Sequence, residues 1–221
     1  MGTESLHAGA EFLAELDAQN AKALARIATA AAQEPGADLT VARLLVLALK
    51  NELEATECAA AWIGSTREIA VKLALARQAG DEAKHYRLIQ KRLGELGVDT
   101  ASHEPGPPSP LLQYLLSLQA TVERVAAGQF TREALAVVRN EEFVRFCVSR
   151  GDEATAALYR DVIQPDERHH HELGRTLLEG LATTPETREA ARRAAGRTLE
   201  LAEELQEIAR LKLGVSRAPG C

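Results

Sequence analysis

Along most of the chain, apolar residues recur at the three- and four-residue spacing of one helix face, and this pattern with its start and stop signals predicts seven helical segments. The first runs from about Glu4 to Gln33, Ala-rich throughout, and stops at Pro35 and Gly36. The second spans about Leu39 to Ile63, with Asp38 or Thr40 as its N-cap. A capping box, Ser65 to Glu68, opens the third, which runs to about Leu96 before Gly97. The stretch VDTASHEPGPPSP is a linker, ending in Ser109 as N-cap and Pro110 at the first helical position. The fourth segment covers Leu111 to Ala127 and can continue past Gly128 into the fifth, Thr131 to Ser149. Arg150-Gly151-Asp152 turns into the sixth, which reaches about Leu181, and TTPE at Thr183 to Glu186 caps the last, ending near Leu213.

Short turns at 64–65 and 150–152 make helices two and three, and five and six, antiparallel neighbours. The long linker permits a crossover between the two pairs. The expected fold is therefore all-α, a four-helix bundle with one long crossover and extra helices at both ends. It forms a single domain over residues 1–221, with the core bundle at about 39–181 and flanking helices at about 4–33 and 186–213. Composition agrees, since hydrophobic residues reach 46% while aromatics are only 4%.

Two polar strings interrupt the apolar stripes. DEAKH, Asp81 to His85, lies in the third helix, and DERHH, Asp166 to His170, in the sixth. Residues three apart share a helix face, so Glu82 and His85 converge, as do Glu167 and His170. The first pair shares its stripe with Leu75, Ala79, Ile89 and Leu93, the second with Ile163, Gly174, Leu177 and Leu181, so both point to the core. Burying such groups alone is costly. Two Glu-x-x-His pairs joined by one Glu from each of two further helices would hold two divalent metal ions.

The second helix offers Glu52, among Leu45, Ala48, Leu49, Ala55 and Ala59. It starts about 18 Å from the turn and Glu82 about 25 Å, and since side chains tilt towards each helix's N-terminus the two carboxylates meet. The fifth helix offers Glu133, Glu141 and Glu142. Glu141 starts about 15 Å from its turn and Glu167 about 22 Å, the same stagger. It also lies in the stripe Ala134, Val137, Val138, Val144 and Val148, whereas Glu133 begins above Glu167. Glu141 is the expected ligand, with Glu142 as the alternate. A one-residue change of register in the sixth helix makes Asp166 and His169 the alternate pair. Asp81 and Asp166 otherwise suit the second ring nitrogen of a ligand histidine on a neighbouring helix. Pro165 should kink the sixth helix just before the site. Tyr86, Tyr159 and Trp62 fall nearest the site, where core filling is the simplest role.

This pattern of E…DExxH…E…DExxH resembles the ferritin-like superfamily of di-iron carboxylate proteins over roughly Leu39 to Leu181. The resemblance implies two iron ions, with manganese as the alternative, held by Glu52, Glu82, His85, Glu141, Glu167 and His170. It also implies reaction with dioxygen or peroxide. The departure is in the fifth helix, where Val137 stands at the position equivalent to Glu52. The expected function is an oxygenase or oxidase acting on a small organic substrate with O2. A ferroxidase, a rubrerythrin-like peroxide-reducing protein and a metal-free scaffold are the alternatives.

Charge and cysteines narrow the partners. A net charge of −6 argues against nucleic acid or an anionic membrane. Cys58, Cys147 and Cys221 are far apart and form no CxxC, so no rubredoxin-like electron-transfer module is expected, and electrons would come from a separate donor or from the substrate itself. With neither a leader nor a membrane-length apolar run in view, the expected setting is the cytoplasm. The apolar stripe of the last helix, Leu199 to Leu211, suits packing on the bundle or a homodimer.

Overall fold

The computed structural model describes residues 3–31, 39–101, 104–214 and 218–220, the side chains of 3–8, 31, 212 and 213 excepted. Its helices are α1 (Thr3–Ala31), α2 (Val41–Ser65), α3 (Ile69–Glu95), α4 (Pro110–Ser117), α5 (Thr121–Val125), α6 (Glu133–Ser149), α7 (Glu153–Leu158), α8 (Gln164–Leu181) and α9 (Pro185–Leu213). Two π-helical segments complete the order: Ala126–Arg132 joins α5 to α6, and Tyr159–Ile163 joins α7 to α8. Among the described residues there is no strand, and no helix is long and apolar enough to cross a membrane. The Pro35–Gly36 stop of the first helix, the choice of Asp38 as a cap, and Cys221 lie outside the described residues.

Local chemistry sets most helix ends. The Thr40 hydroxyl accepts from the Arg43 amide at 3.2 Å, Ser109 from Leu112 at 3.1 Å, and Asp152 from Thr155 at 3.0 Å. The expected capping box at Ser65 is not made. Both hydroxyls turn back to close α2, Thr66 Oγ1 donating to the Trp62 carbonyl at 2.9 Å, and α3 begins instead at Ile69. The break in the fourth segment falls at Leu118–Ala120 rather than Gly128, because the chain from Thr121 to Ser149 stays helical by widening into a π segment. Likewise the kink expected at Pro165 takes the form of the second π segment. Proline cannot donate to the carbonyl one turn earlier, and the five residues before Gln164 absorb the mismatch.

α2, α3, α6 and the α7–α8 run each pass from an apolar stretch through a polar one to another apolar stretch. One apolar cluster includes Trp62, Leu75, Val125, Phe130 and Leu178, and packs against α1 and α9 residues such as Phe12, Leu16 and Ala195. A second holds Leu45, Ile89, Phe143, Tyr159 and Ile163. Between them lies a layer of fully buried polar residues, Glu52, Glu82, His85, Glu133, Glu167 and His170. Two glycines allow close approaches beside this layer, one to backbone and one to a side chain. A Cβ at Gly174 would fall 2.7 Å from the Gln129 carbonyl carbon, and one at Gly128 would fall 2.8 Å from the Trp62 ring. Side-chain-free contact is therefore what seats α8 against the first π segment.

Candidate metal centre

Two groups of possible ligands overlap in the polar layer. Glu52, Glu82, His85 and Glu167 form one; Glu82, Glu133, Glu167 and His170 form the other, and within each the ligand atoms lie within 4.8 Å of one another. Glu82 and Glu167 belong to both groups and could serve either, while Glu52 with His85 and Glu133 with His170 sit at opposite ends. α2 supplies Glu52, α3 Glu82 and His85, α6 Glu133, and α8 Glu167 and His170. Five of the six residues expected from the sequence are thus together.

Glu141 is the exception. It is exposed and accepts from Arg168 Nη2 at 3.1 Å; Glu142 pairs with Arg145, and His169 is also exposed. The inward face of α6 is Glu133, Ala136, Asn140, Phe143 and Cys147, whereas Val137, Val138 and Val144 are half-buried and Val148 is 46% exposed. The valine stripe that favoured Glu141 lies along the flank of the helix. The three- and four-residue spacing of Glu133, Ala136, Asn140, Phe143 and Cys147 was the signal for the true face, but it requires admitting Asn140 as a core residue.

The histidine rings are held from outside the layer by crossed partners. Asp166 on α8 takes the His85 Nε2 proton at 3.1 Å, and Asp81 on α3 takes the His170 Nε2 proton at 3.2 Å. Lys84 Nζ also donates to Asp166, at 2.6 Å. Fixing Nε2–H in this way turns each Nδ1 towards the carboxylates. His85 Nδ1 lies 3.2 Å from Glu82, 3.5 Å from Glu52 and 3.7 Å from Glu167. His170 Nδ1 lies 3.6 Å from Glu82, 3.7 Å from Glu133 and 3.9 Å from Glu167.

Burial and neighbouring charges shift the titration of Glu82, His85, Glu133, Glu167 and His170. Burial, with Glu133 and Glu52 adding repulsion against a contact to His85, raises Glu82 to about 7. Burial and the Glu82 and Glu133 charges push Glu167 well above the carboxylate range. Burial disfavours charge on Glu133 too, but the adjoining Glu167 carboxyl and His170 more than offset it and hold Glu133 near 2. Burial opposes charge on the imidazoles, yet Glu52 and Glu82 carry His85 up to about 12, and Glu133 carries His170 to about 9.

Of the neighbours, Tyr159 and Trp62 were expected near the layer, whereas Gln78, His171 and the Ala218–Gly220 segment were not. Gln78, one turn before Glu82, donates to Glu133 Oε1 at 2.6 Å. Tyr159 is fully buried in the second π segment, with burial and then the Glu52 charge raising its pKa well above 10. Trp62 belongs to the apolar cluster as expected. His171 Nδ1 donates to the Phe130 carbonyl at 2.7 Å, satisfying an acceptor within the first π segment. On the far side, Ala218–Gly220 passes over Glu52. Asn51 Nδ2 donates to the Pro219 carbonyl at 2.9 Å, and the Gly220 amide donates to Asn140 Oδ1 at 2.8 Å. With φ at +81° and a Cβ that would lie 3.0 Å from Glu52 Oε1, residue 220 suits glycine alone.

No family model, curated protein or solved structure matches this chain. The site must be judged on its own chemistry. Glu52 Oε1 and His170 Nδ1 are buried without a hydrogen-bond partner, and neither Glu167 oxygen makes a hydrogen bond of ordinary geometry. Four carboxylates and two imidazole nitrogens converging on such orphaned atoms fit two divalent cations, whose four positive charges would match the four carboxylates.

Proposed function

We propose that the chain is a ferritin-like four-helix-bundle protein that binds two iron ions and uses O2 to oxidise a small organic molecule. The observation that carries this reading is the pair of overlapping four-ligand groups sharing Glu82 and Glu167. Glu52 and His85 would hold one ion, Glu133 and His170 the other. Bound there, the metal pair supplies the redox chemistry with dioxygen, which no side chain offers. The protein's own groups do the rest. Asp81 and Asp166 keep the Nε2 protons in place and the Nδ1 lone pairs inward. The apolar clusters on either side exclude water from the layer. Gln78 orients Glu133.

An open cavity of about 460 Å³ beside α2, α4, α6 and α9 supports an organic substrate over iron itself as the species oxidised. Its lining includes Asn51 and Arg132, the residues immediately before Glu52 and Glu133. Burial raises the thiols of Cys58 and Cys147 to about 12, which keeps both protonated.

The test is metal content followed by oxidation. Purified protein loaded with ferrous iron should hold about two ions per chain. Rapid mixing with oxygen should then oxidise one centre's worth and stop. Sustained oxidation of added ferrous ion would shift the reading to iron handling. Failure to bind iron or manganese after reconstitution would remove the metal reading altogether.

A further inference from the structure

The walls of the cavity are apolar. Leu47, Leu112, Leu205 and Ile208 line it, and Pro107 and Pro108 add ring faces with no backbone N–H to offer a ligand. Its volume falls within the range of small-ligand sites, about 300–1,000 Å³.

Charged side chains line it too, but the protein itself engages each of them. Lys50 Nζ donates to the Pro107 carbonyl at 2.7 Å and pairs with Glu54 at 3.6 Å. Glu54 also accepts from the Ser109 amide and hydroxyl. Arg132 donates to the Asn51 carbonyl and Arg139 to the Ala202 carbonyl, each at 3.4 Å, and neither guanidinium is free. Asn51 Nδ2 is committed to the Pro219 carbonyl. An ionised ligand would give up its water for a lining whose polar groups already have partners, and an ion without a partner of its own is costly to desolvate. An uncharged chain meets no such cost and gains with every methylene it takes out of water.

The cavity lies on the Glu52 side of the polar layer. Asn51 lines it next to Glu52 in sequence, and Ala218 lines it two residues before Gly220, which lies against Glu52. We propose that this cavity binds an uncharged aliphatic molecule, its chain along Leu47, Leu112 and Leu205. The proposal rests on the function proposed above and names its substrate class.

Calorimetric titration with 1-octanol, 1-hexanol, octanoate and octylamine tests it, on metal-free and metal-loaded protein in parallel. Octanol should bind one per chain, at least about tenfold more tightly than either ion. It should also bind about tenfold more tightly than hexanol, which has two methylenes fewer to bury. Leu205→Trp, which fills the cavity, should weaken octanol at least about tenfold. Ile208→Asp, at a position already 45% exposed, should weaken octanol and tighten octylamine. Circular dichroism would confirm that each variant remains helical. Octanoate or octylamine binding as tightly as octanol, equal affinity for hexanol and octanol, octanol affinity unchanged in both folded variants, or no octanol binding by folded protein would each overturn the proposal. Octanol binding by metal-free protein alongside an absence of iron uptake would instead leave the cavity assignment standing and remove the oxidation reading.

Discussion

The two halves of the polar layer are built from the same residue types on unlike helices. α2 and α3 are regular from end to end, and Glu52, Glu82 and His85 fall where three- and four-residue spacing puts them. α6 and α8 each follow a π segment, and here the inward carboxylate is Glu133, separated from Glu167 by 34 residues where Glu52 and Glu82 are 30 apart. A π turn inserts a residue without breaking the helix, so it rotates everything on one side of it relative to the other. Regular helices let spacing report depth and face together; across the Tyr159–Ile163 π segment the count from the turn to Glu167 no longer reports depth.

The sharpest way to test this contrast is with glycine. Gly174→Ala should destabilise the protein by about 3 kcal/mol, because its Cβ meets backbone of the first π segment and neither chain can yield. Gly80→Ala in regular α3 meets nothing within 4 Å and should stabilise by up to about 1 kcal/mol. Chemical denaturation of both variants gives the comparison; equal effects would show that the π segment is not seated as described.

Next in size is the exchange of ligands in α6. Glu133→Ala should leave the chain with only one of two metal ions, or bind the second at least about a hundredfold more weakly, given how few donors remain. Glu141→Ala breaks one exposed pair with Arg168 and should shift stability by less than about 1 kcal/mol with metal content intact. Elemental analysis reads both. The reverse outcome would restore Glu141 as the α6 ligand.

Asp81→Ala and Asp166→Ala probe the crossed partners. Each should weaken metal binding by about 10- to 100-fold through the opposite half's histidine. Competition with a chromophoric chelator measures this. An effect confined to the histidine on the same helix would contradict the crossing.

The smallest effect is on pH dependence. In metal-free protein Glu82 is raised from 4.5 to about 7, and His170 from 6.5 to about 9. In both cases the folded state holds protons that the unfolded chain has released, so stability should fall as pH rises from about 4.5 through 9. Saturating divalent metal displaces those protons and should reverse the slope. Melting temperatures across this range, with and without Mn²⁺, check the sign.

How much of this was legible in the sequence follows the same division. The helical order, the antiparallel pairs and the repeated DExxH strings came from periodicity and caps, and the structure places Glu82, His85, Glu167 and His170 on one buried layer. Glu141 was favoured because valines look like core. In α6 the core face instead runs through Asn140, which is buried because Gly220 needs its side chain. The segment AAGQFTR has no feature by which its residues alone distinguish five-residue from four-residue hydrogen bonding. Its widening depends on Trp62, Gly174 and His171, which belong to other helices.

The crossing of Asp81 to His170 and Asp166 to His85 has a consequence for how such a centre can be assembled. Each half borrows from the other the carboxylate that holds its imidazole's Nε2. The relation is that of an isologous contact, in which the same patch appears on both sides and residue i meets j as j meets i. A half-chain carrying one DExxH could complete this centre only by pairing with a second copy of itself. In the present chain that pairing is made permanent by the covalent linker between α3 and α4.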